Sequence, residues 1–161
     1  MELEILEKNV EIVEGVLTCK ICNIKYPIIS SIPFLLKDLS SYFSIRTKLG
    51  GDLLLNAKNK SVKSIIQKSL KEIKKVHEDT TELEIRWVET YKKSNKTILE
   101  RKVKEIIQSL PKFDLVLEHG CSIGTISEML SRKNRQAFGI DKSFYALLEA
   151  KRRKIKTVIL F

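Results

Sequence analysis

The chain is poor in several residue types that often betray a function: three cysteines, three prolines, two histidines and one tryptophan among 161 residues. An odd number of cysteines, with no mark of export, argues against a disulfide framework. No apolar run approaches the roughly 20 residues that span a bilayer. The opening MELEILEKNVEIVEG is acidic and lacks the basic start and apolar stretch of a secretory signal. A cytoplasmic setting with no membrane partner is therefore expected.

What is present favours a folded protein. Hydrophobic residues make up 43% and charged residues 31%, so burial can offset chain entropy. The net charge of +10 is uneven: −2 over residues 1–39, +8 over 40–112 and +4 over 113–161. A basic layer of this kind either attracts nucleic acid by releasing counterions or is a solvated lysine face. Aromatic and arginine side chains are sparse among these lysines, which favours the solvated face.

Three segments follow from the patterning. Residues 1–39 read as a small β-module, with strands at Val16-Leu17-Thr18-Cys19 and Tyr26-Pro27-Ile28-Ile29 and an extended exit at Ile32-Pro33-Phe34-Leu35-Leu36. Pro27 and Pro33 forbid helix interior there. Residues 40–112 read as a basic helical segment. Ser40–Asp52 is ambiguous and Gly50-Gly51 is expected to break it, whereas Val62, Ile65, Ile66, Leu70, Ile73 and Val76 form a helical stripe. Thr81 and Glu84 have capping-box spacing, with Leu83, Trp87, Val88 and Tyr91 then sharing a face; Thr97 and Glu100 repeat the signal before a helix that Pro111 ends. From Phe113, strands at 115–117, 137–140 and 157–161 alternate with helices at 125–132 and 144–154. That alternation implies βαβ units and a parallel sheet. The fold class expected is α/β: an incomplete Rossmann-like parallel sheet of about three strands, preceded by a helical layer and a small N-terminal β-module.

The sharpest motif is Leu117-Glu118-His119-Gly120-Cys121-Ser122-Ile123-Gly124, with Gly139-Ile140-Asp141 after the next strand. Glycines at such a turn let main chain approach a ligand closely, and the helix that follows offers free amides. A carboxylate at the end of the second strand can accept both hydroxyl hydrogens of a ribose. The residues 120–124 also fit a G-x-S-x-G nucleophile elbow, but that chemistry needs a histidine downstream, and His77 and His119 both precede the serine. A nicotinamide dinucleotide site would want G-x-G-x-x-G, which Ser122 and the final spacing do not supply. A purely structural role, packing helix on strand, leaves Asp141 unexplained. His119 invites a catalytic role, yet a lone histidine in a turn is more often structural. Cys121 reads as a small packed side chain with no cation to activate it.

On these residues the chain resembles class I S-adenosylmethionine-dependent methyltransferases, whose first motif is a strand ending in an acidic residue and then a glycine-rich turn. Glu118, Gly120 and Gly124 match, and Ser122 stands where that family usually has its middle glycine. The resemblance covers roughly residues 95–161. It implies that Gly120, Ser122 and Gly124 line the methionine part of S-adenosylmethionine, that Asp141 holds the ribose, and that Glu118 orders the turn and reaches the methionine ammonium through water. It names no catalytic residue. The methyl acceptor it implies is a small molecule, an RNA or a protein.

The stretch from Gly15 to Leu36, with Cys19-x-x-Cys22, Tyr26-Pro27-Ile28 and Ile32-Pro33, is similar to the small zinc-ribbon-like activator subunits of methyltransferases. Ser31 replaces that family's glycine. Cys19 and Cys22 have the spacing of half a zinc site, but residues 1–18 contain no cysteine or histidine to complete it. Zinc is not expected.

Residues 113–161 supply three strands of a sheet that normally has seven in the resembled methyltransferases. A truncated product, a fragment, or a chain whose sheet a partner completes is therefore expected. Such a chain should bind S-adenosylmethionine weakly and transfer methyl groups poorly, and whether it is an enzyme by itself stays open. The alternative is a non-catalytic interaction module that docks a separate methyltransferase or an RNA.

Overall fold

A computed structural model describes residues 11–94, 96–109, 114–131, 136–153 and 156–160. The chain divides into two compact units, one running to Leu83 and the other from Glu84 to Leu160. Both combine helix and strand, so the protein is mixed α/β.

In the first unit, β1 (Gly15–Thr18), β2 (Lys25–Ile29) and β3 (Ile32–Leu35) form an antiparallel sheet. Ile29 pairs with Ile32, leaving a two-residue turn in which Ser30 and Ser31 take φ of 51° and 60°. Two central residues at positive φ match the twist of the flanking strands, a geometry glycine or asparagine adopts with less strain. Ser31 thus occupies the left-handed conformation that the glycine of the resembled family would fill without a Cβ penalty.

Three helices follow: α1 (Leu39–Ser44), α2 (Thr47–Asn56) and α3 (Lys60–Lys71). Asp38 caps α1, accepting from the Ser41 amide at 2.9 Å and from the Ser40 and Ser41 hydroxyls at 2.6 Å each. Those hydroxyl and amide donors hold its carboxyl down at about 2. Asn59 caps α3 through bonds from Ser61 N and Val62 N. Phe34, Phe43, Ile32, Leu49, Ile66 and Val62 are buried almost completely, so sheet and helices share one apolar core. Arg46 is buried as well, its guanidinium 4.4 Å from the centre of the Tyr42 ring.

The helices differ from their expected course. Gly50-Gly51 does not break the chain: α2 runs through both. A Cβ on Gly50 would lie 2.7 Å from Leu70 Cδ2 and 3.2 Å from Phe43 Cδ1, so glycine here permits close packing of helices. The stripe read as reaching Val76 is shorter, because α3 ends at Lys71 and Val76 is exposed.

Residues 72–80 are fastened to α1 by amide bonds from His77 to Ser44 O and from Thr80 to Ile45 O, each 2.9 Å. Asp79 then organises the start of α4 (Thr81–Lys93). Its carboxylate accepts from Thr81 N, Lys48 N and the Thr47 hydroxyl, all at 2.8 Å. Burial works against the charge on Asp79, but the amides of Lys48 and Thr81 and the hydroxyl of Thr47 outweigh it and hold the carboxyl well below the usual range. The cap is therefore Asp79, not the Thr81–Glu84 box. The face of α4 also differs from expectation. Thr81, Glu84 and Val88 are buried, whereas Leu83, Trp87 and Tyr91 are exposed. The apolar stripe and the inward stripe are one residue out of register.

The second unit adds α5 (Lys96–Ser109), β4 (Leu115–His119), α6 (Thr125–Leu130), β5 (Gln136–Ile140), α7 (Phe144–Arg152) and β6 (Lys156–Leu160). The Thr97 and Glu100 side chains and Pro111 lie outside the described residues. β4 pairs with β5 in parallel from Leu115↔Gln136 to His119↔Ile140, and β5 pairs with β6 in parallel. α6 and α7 are the crossovers that parallel neighbours require. Val88, Ile123 and Ala146 form a small buried cluster with Tyr145 against it. Arg153 reaches Thr125 Oγ1 at 3.2 Å and Glu128 at 3.5 Å, tying the end of α7 to α6. No described helix is long and apolar enough to cross a membrane.

Candidate functional site

The turn after β4 and the turn after β5 meet at the carboxyl ends of these parallel strands. Strand geometry alone brings them there, because parallel register sets His119 beside Ile140. Gly120 N and Cys121 N both donate to Ile140 O, at 2.8 and 3.0 Å. The first turn then bends sharply. Gly120, Ser122 and Gly124 have φ of 72°, 49° and 74°, and Gly124 N donates to Cys121 O at 2.9 Å.

Asp141 joins the two turns. Its Oδ2 accepts from Ser122 N and its Oδ1 from Ser143 N, both at 2.8 Å. Ser143 in turn caps α7 by accepting from Ala146 N. A carboxylate has about four lone-pair sites, so each Asp141 oxygen retains one for a further donor. Space above the turn is open: a Cβ built on Gly120 would meet nothing within 4 Å.

Beneath the turn the packing is tight. A Cβ on Gly139 would lie 2.6 Å from Cys121 Sγ, 2.9 Å from Cys121 Cβ and 3.2 Å from Ser127 Oγ. Only glycine lets the turn and α6 sit this close to β5. Ser127 is fully buried and donates to Glu118 Oε2, fastening α6 to β4. Burial pushes the Glu118 carboxyl above its usual range, the Asp141 charge adds to this, and the Ser127 bond opposes it. Burial first, then the charges of Asp141 and Glu118, push the Cys121 thiol up to about 12. The raised value favours the neutral thiol of Cys121 at neutral pH.

Of the residues singled out from sequence, Glu118, Gly120, Ser122, Gly124 and Asp141 all fall in this one region. His119 ends β4 as an exposed side chain. Ser127 was missed. The buried residues of α6 are Ser127 and Leu130, whereas the apolar Ile126 and Met129 are only partly buried. A small polar residue is needed where the helix crosses Gly139, and hydrophobic periodicity carries no signal for that.

Cys19 and Cys22 belong to the first unit, in the β1–β2 turn. Asn23 N donates to Cys19 O at 2.8 Å and Cys19 N to Ile24 O at 3.0 Å, with Asn23 at φ 54°. Amides of Cys22 and Ile21 lower the Cys19 thiol pKa. Among the described residues no cluster of three or more His, Cys, Asp or Glu side chains could hold a metal ion.

No family model, curated protein or solved structure matches the chain.

Proposed function

We propose that residues 113–161 are the S-adenosylmethionine-binding part of a Rossmann-like methyltransferase domain in a cytoplasmic protein. The observation that carries this reading is Asp141. It ends the second parallel strand, touches the glycine-containing turn after the first, and keeps one lone pair on each oxygen. A ribose diol donates two hydrogens and suits that pair. The unfilled space over Gly120 admits the methionine portion against bare main chain. Glu118 orders the turn from below, through Ser127.

S-adenosylmethionine supplies an electrophilic methyl on a sulfonium. The chain's own part is to hold that group in line for a nucleophile on a small molecule, an RNA or a protein, and positioning of this kind can account for most of the rate. The reading names no general base for the acceptor among the described residues. A partner that extends the sheet beyond β4 would supply the acceptor side.

Calorimetry with S-adenosylmethionine tests the reading, using the wild-type chain, Asp141→Asn and Asp141→Ala. The expected result is weak binding by the wild type that drops about 10- to 100-fold in Asp141→Ala, as for loss of charge-assisted hydrogen bonds. Melting temperatures measured in parallel separate lost affinity from lost folding. No binding by a folded wild-type chain at millimolar ligand would end the proposal.

One observation favours the second reading, an interaction module that docks a separate methyltransferase. Leu83, Trp87 and Tyr91 recur every four residues and expose 38%, 52% and 54% of their surface along α4. Aromatic side chains presented this way are typical anchors of protein interfaces.

A further inference from the structure

The first unit contains a recess of about 790 Å³ between β1, the start of α1 and one face of α3. Its charge comes from Lys25, Lys37, Lys60 and Lys68, and Ser61 and Ser64 add hydroxyl donors. Lys60, Ser64 and Lys68 are spaced by four, so they form one stripe along about 12 Å of helix axis. The opposite stripe of α3, with Val62 and Ile66, is buried. The helix is thus fixed by its apolar side while its basic side faces the recess.

The two carboxylates in the lining do not cancel this charge. Asp38 spends its oxygens on the Ser40 and Ser41 donors that cap α1. Glu72 lies 3.7 Å from Lys68 and offsets that lysine alone. Among the described residues Lys25, Lys37 and Lys60 have no carboxylate partner. No aromatic side chain lines the recess, so it offers ammonium and hydroxyl donors and no surface for stacking a base.

We propose that this recess binds the phosphodiester backbone of a nucleic acid. Ammonium groups and serine hydroxyls are the donors that contact phosphate oxygens without reading sequence. Their spread along α3 exceeds what one phosphate can bridge, and the concave shape suits a strand better than a flat lipid surface. The recess belongs to the first unit, and the proposal does not depend on the methyltransferase reading. Lys60 and Lys68 belong to the strongly basic stretch 40–112, whose charge steers a polyanion toward the recess, and Lys25 and Lys37 add two cations from the stretch before it.

Fluorescence anisotropy with labelled RNA and DNA oligonucleotides, single- and double-stranded, tests this on the full chain. With about three phosphates engaged, affinity for a single strand should fall about 20-fold between about 50 and about 200 mM salt. The Lys25→Glu, Lys37→Glu, Lys60→Glu triple variant should weaken binding at least about tenfold, and the same lysines changed to Gln should weaken it less. The control triple Lys63→Glu, Lys74→Glu, Lys75→Glu makes the same charge change outside the recess and should cost less than about threefold. All variants are checked by circular dichroism. Equal losses in the two glutamate triples would assign the affinity to diffuse charge and overturn the site. Competition by polyglutamate or inorganic phosphate as effective as that by RNA would overturn the ligand class. Absence of oligonucleotide binding at low salt would overturn both.

Discussion

The two units solve the same problem, covering a small sheet with helices, to different degrees. In the unit ending at Leu83, six large or branched residues from strands and helices are almost fully buried around Phe34 and Phe43. In the unit beginning at Glu84, Leu147, Phe144, Leu130, Ile123, Ile140 and Val103 are buried as well, but β4 leaves Leu115 and Leu117 exposed at 63% and 60%. Parallel strands are ordinarily buried on both faces. The contrast teaches that the second sheet is left uncovered at β4, the strand that leads into the glycine-containing turn. The first unit covers its sheet, whereas the second leaves leucines of β4 exposed beside two turns and a glycine, Gly139, that permits close approach.

The largest expected effect is Phe43→Ala, which should cost about 3–5 kcal/mol by cavity formation in the first unit. Urea unfolding followed with Trp87 fluorescence, set beside far-ultraviolet dichroism, would show whether the second unit survives that loss. Coincident transitions would break the division into separately stable units.

Next come the tight glycines, one in each unit. Gly50→Ala and Gly139→Ala should each cost about 1–3 kcal/mol, because the new methyl meets Leu70 in one case and Cys121 with Ser127 in the other. Gly51→Ala, with nothing within 4 Å, should instead gain about 0.5–1 kcal/mol as an ordinary helix substitution. Thermal melts of the three variants give the comparison directly. A destabilised Gly51→Ala would show that the space beside it is filled.

The left-handed serines are a smaller matched pair. Ser31→Gly in the first unit and Ser122→Gly in the second should each stabilise by about 1 kcal/mol, by relieving a Cβ at positive φ. If S-adenosylmethionine binds as proposed, Ser122→Gly should also bind it more tightly, and Ser31→Gly should not.

Acid separates the units most gently. Asp38 and Asp79 have folded pKa values below their unfolded value of 3.8, so their stabilisation is complete above about pH 4 and is lost as pH falls, toward about 2 for Asp38. Glu118 is shifted the other way. Its raised pKa favours the neutral form in the fold, so its contribution is present at low pH and lost as pH rises through the folded value. Glu118→Gln should therefore leave the melting temperature unchanged or slightly higher at neutral pH. A marked fall would mean that the ionised carboxylate is required.

Much of this was legible because strand periodicity and turn residues are local signals. Among the described residues five strands lie within about one residue of their expected positions and β4 runs two residues further, to His119, and the turns at 120–124 and at Asp141 were marked by glycine and by a carboxylate after a strand. What escaped was set by contacts distant in sequence. Gly50 reads locally as a helix breaker, yet Leu70 and Phe43 make glycine the residue that fits. The Thr81–Glu84 pair has the spacing of a cap, yet Asp79 takes that role through partners more than thirty residues away. Ser127 reads as an unremarkable helix residue until Glu118 and Gly139 are placed beside it.

The burial of Cys121 gives the protein an internal clock. Cys22 is exposed and Cys19 partly so, and both should be alkylated promptly by a thiol reagent, whereas Cys121 reacts only when the turn lifts away from β5. Its slow labelling therefore times the opening of the second unit, in a chain that carries no engineered probe.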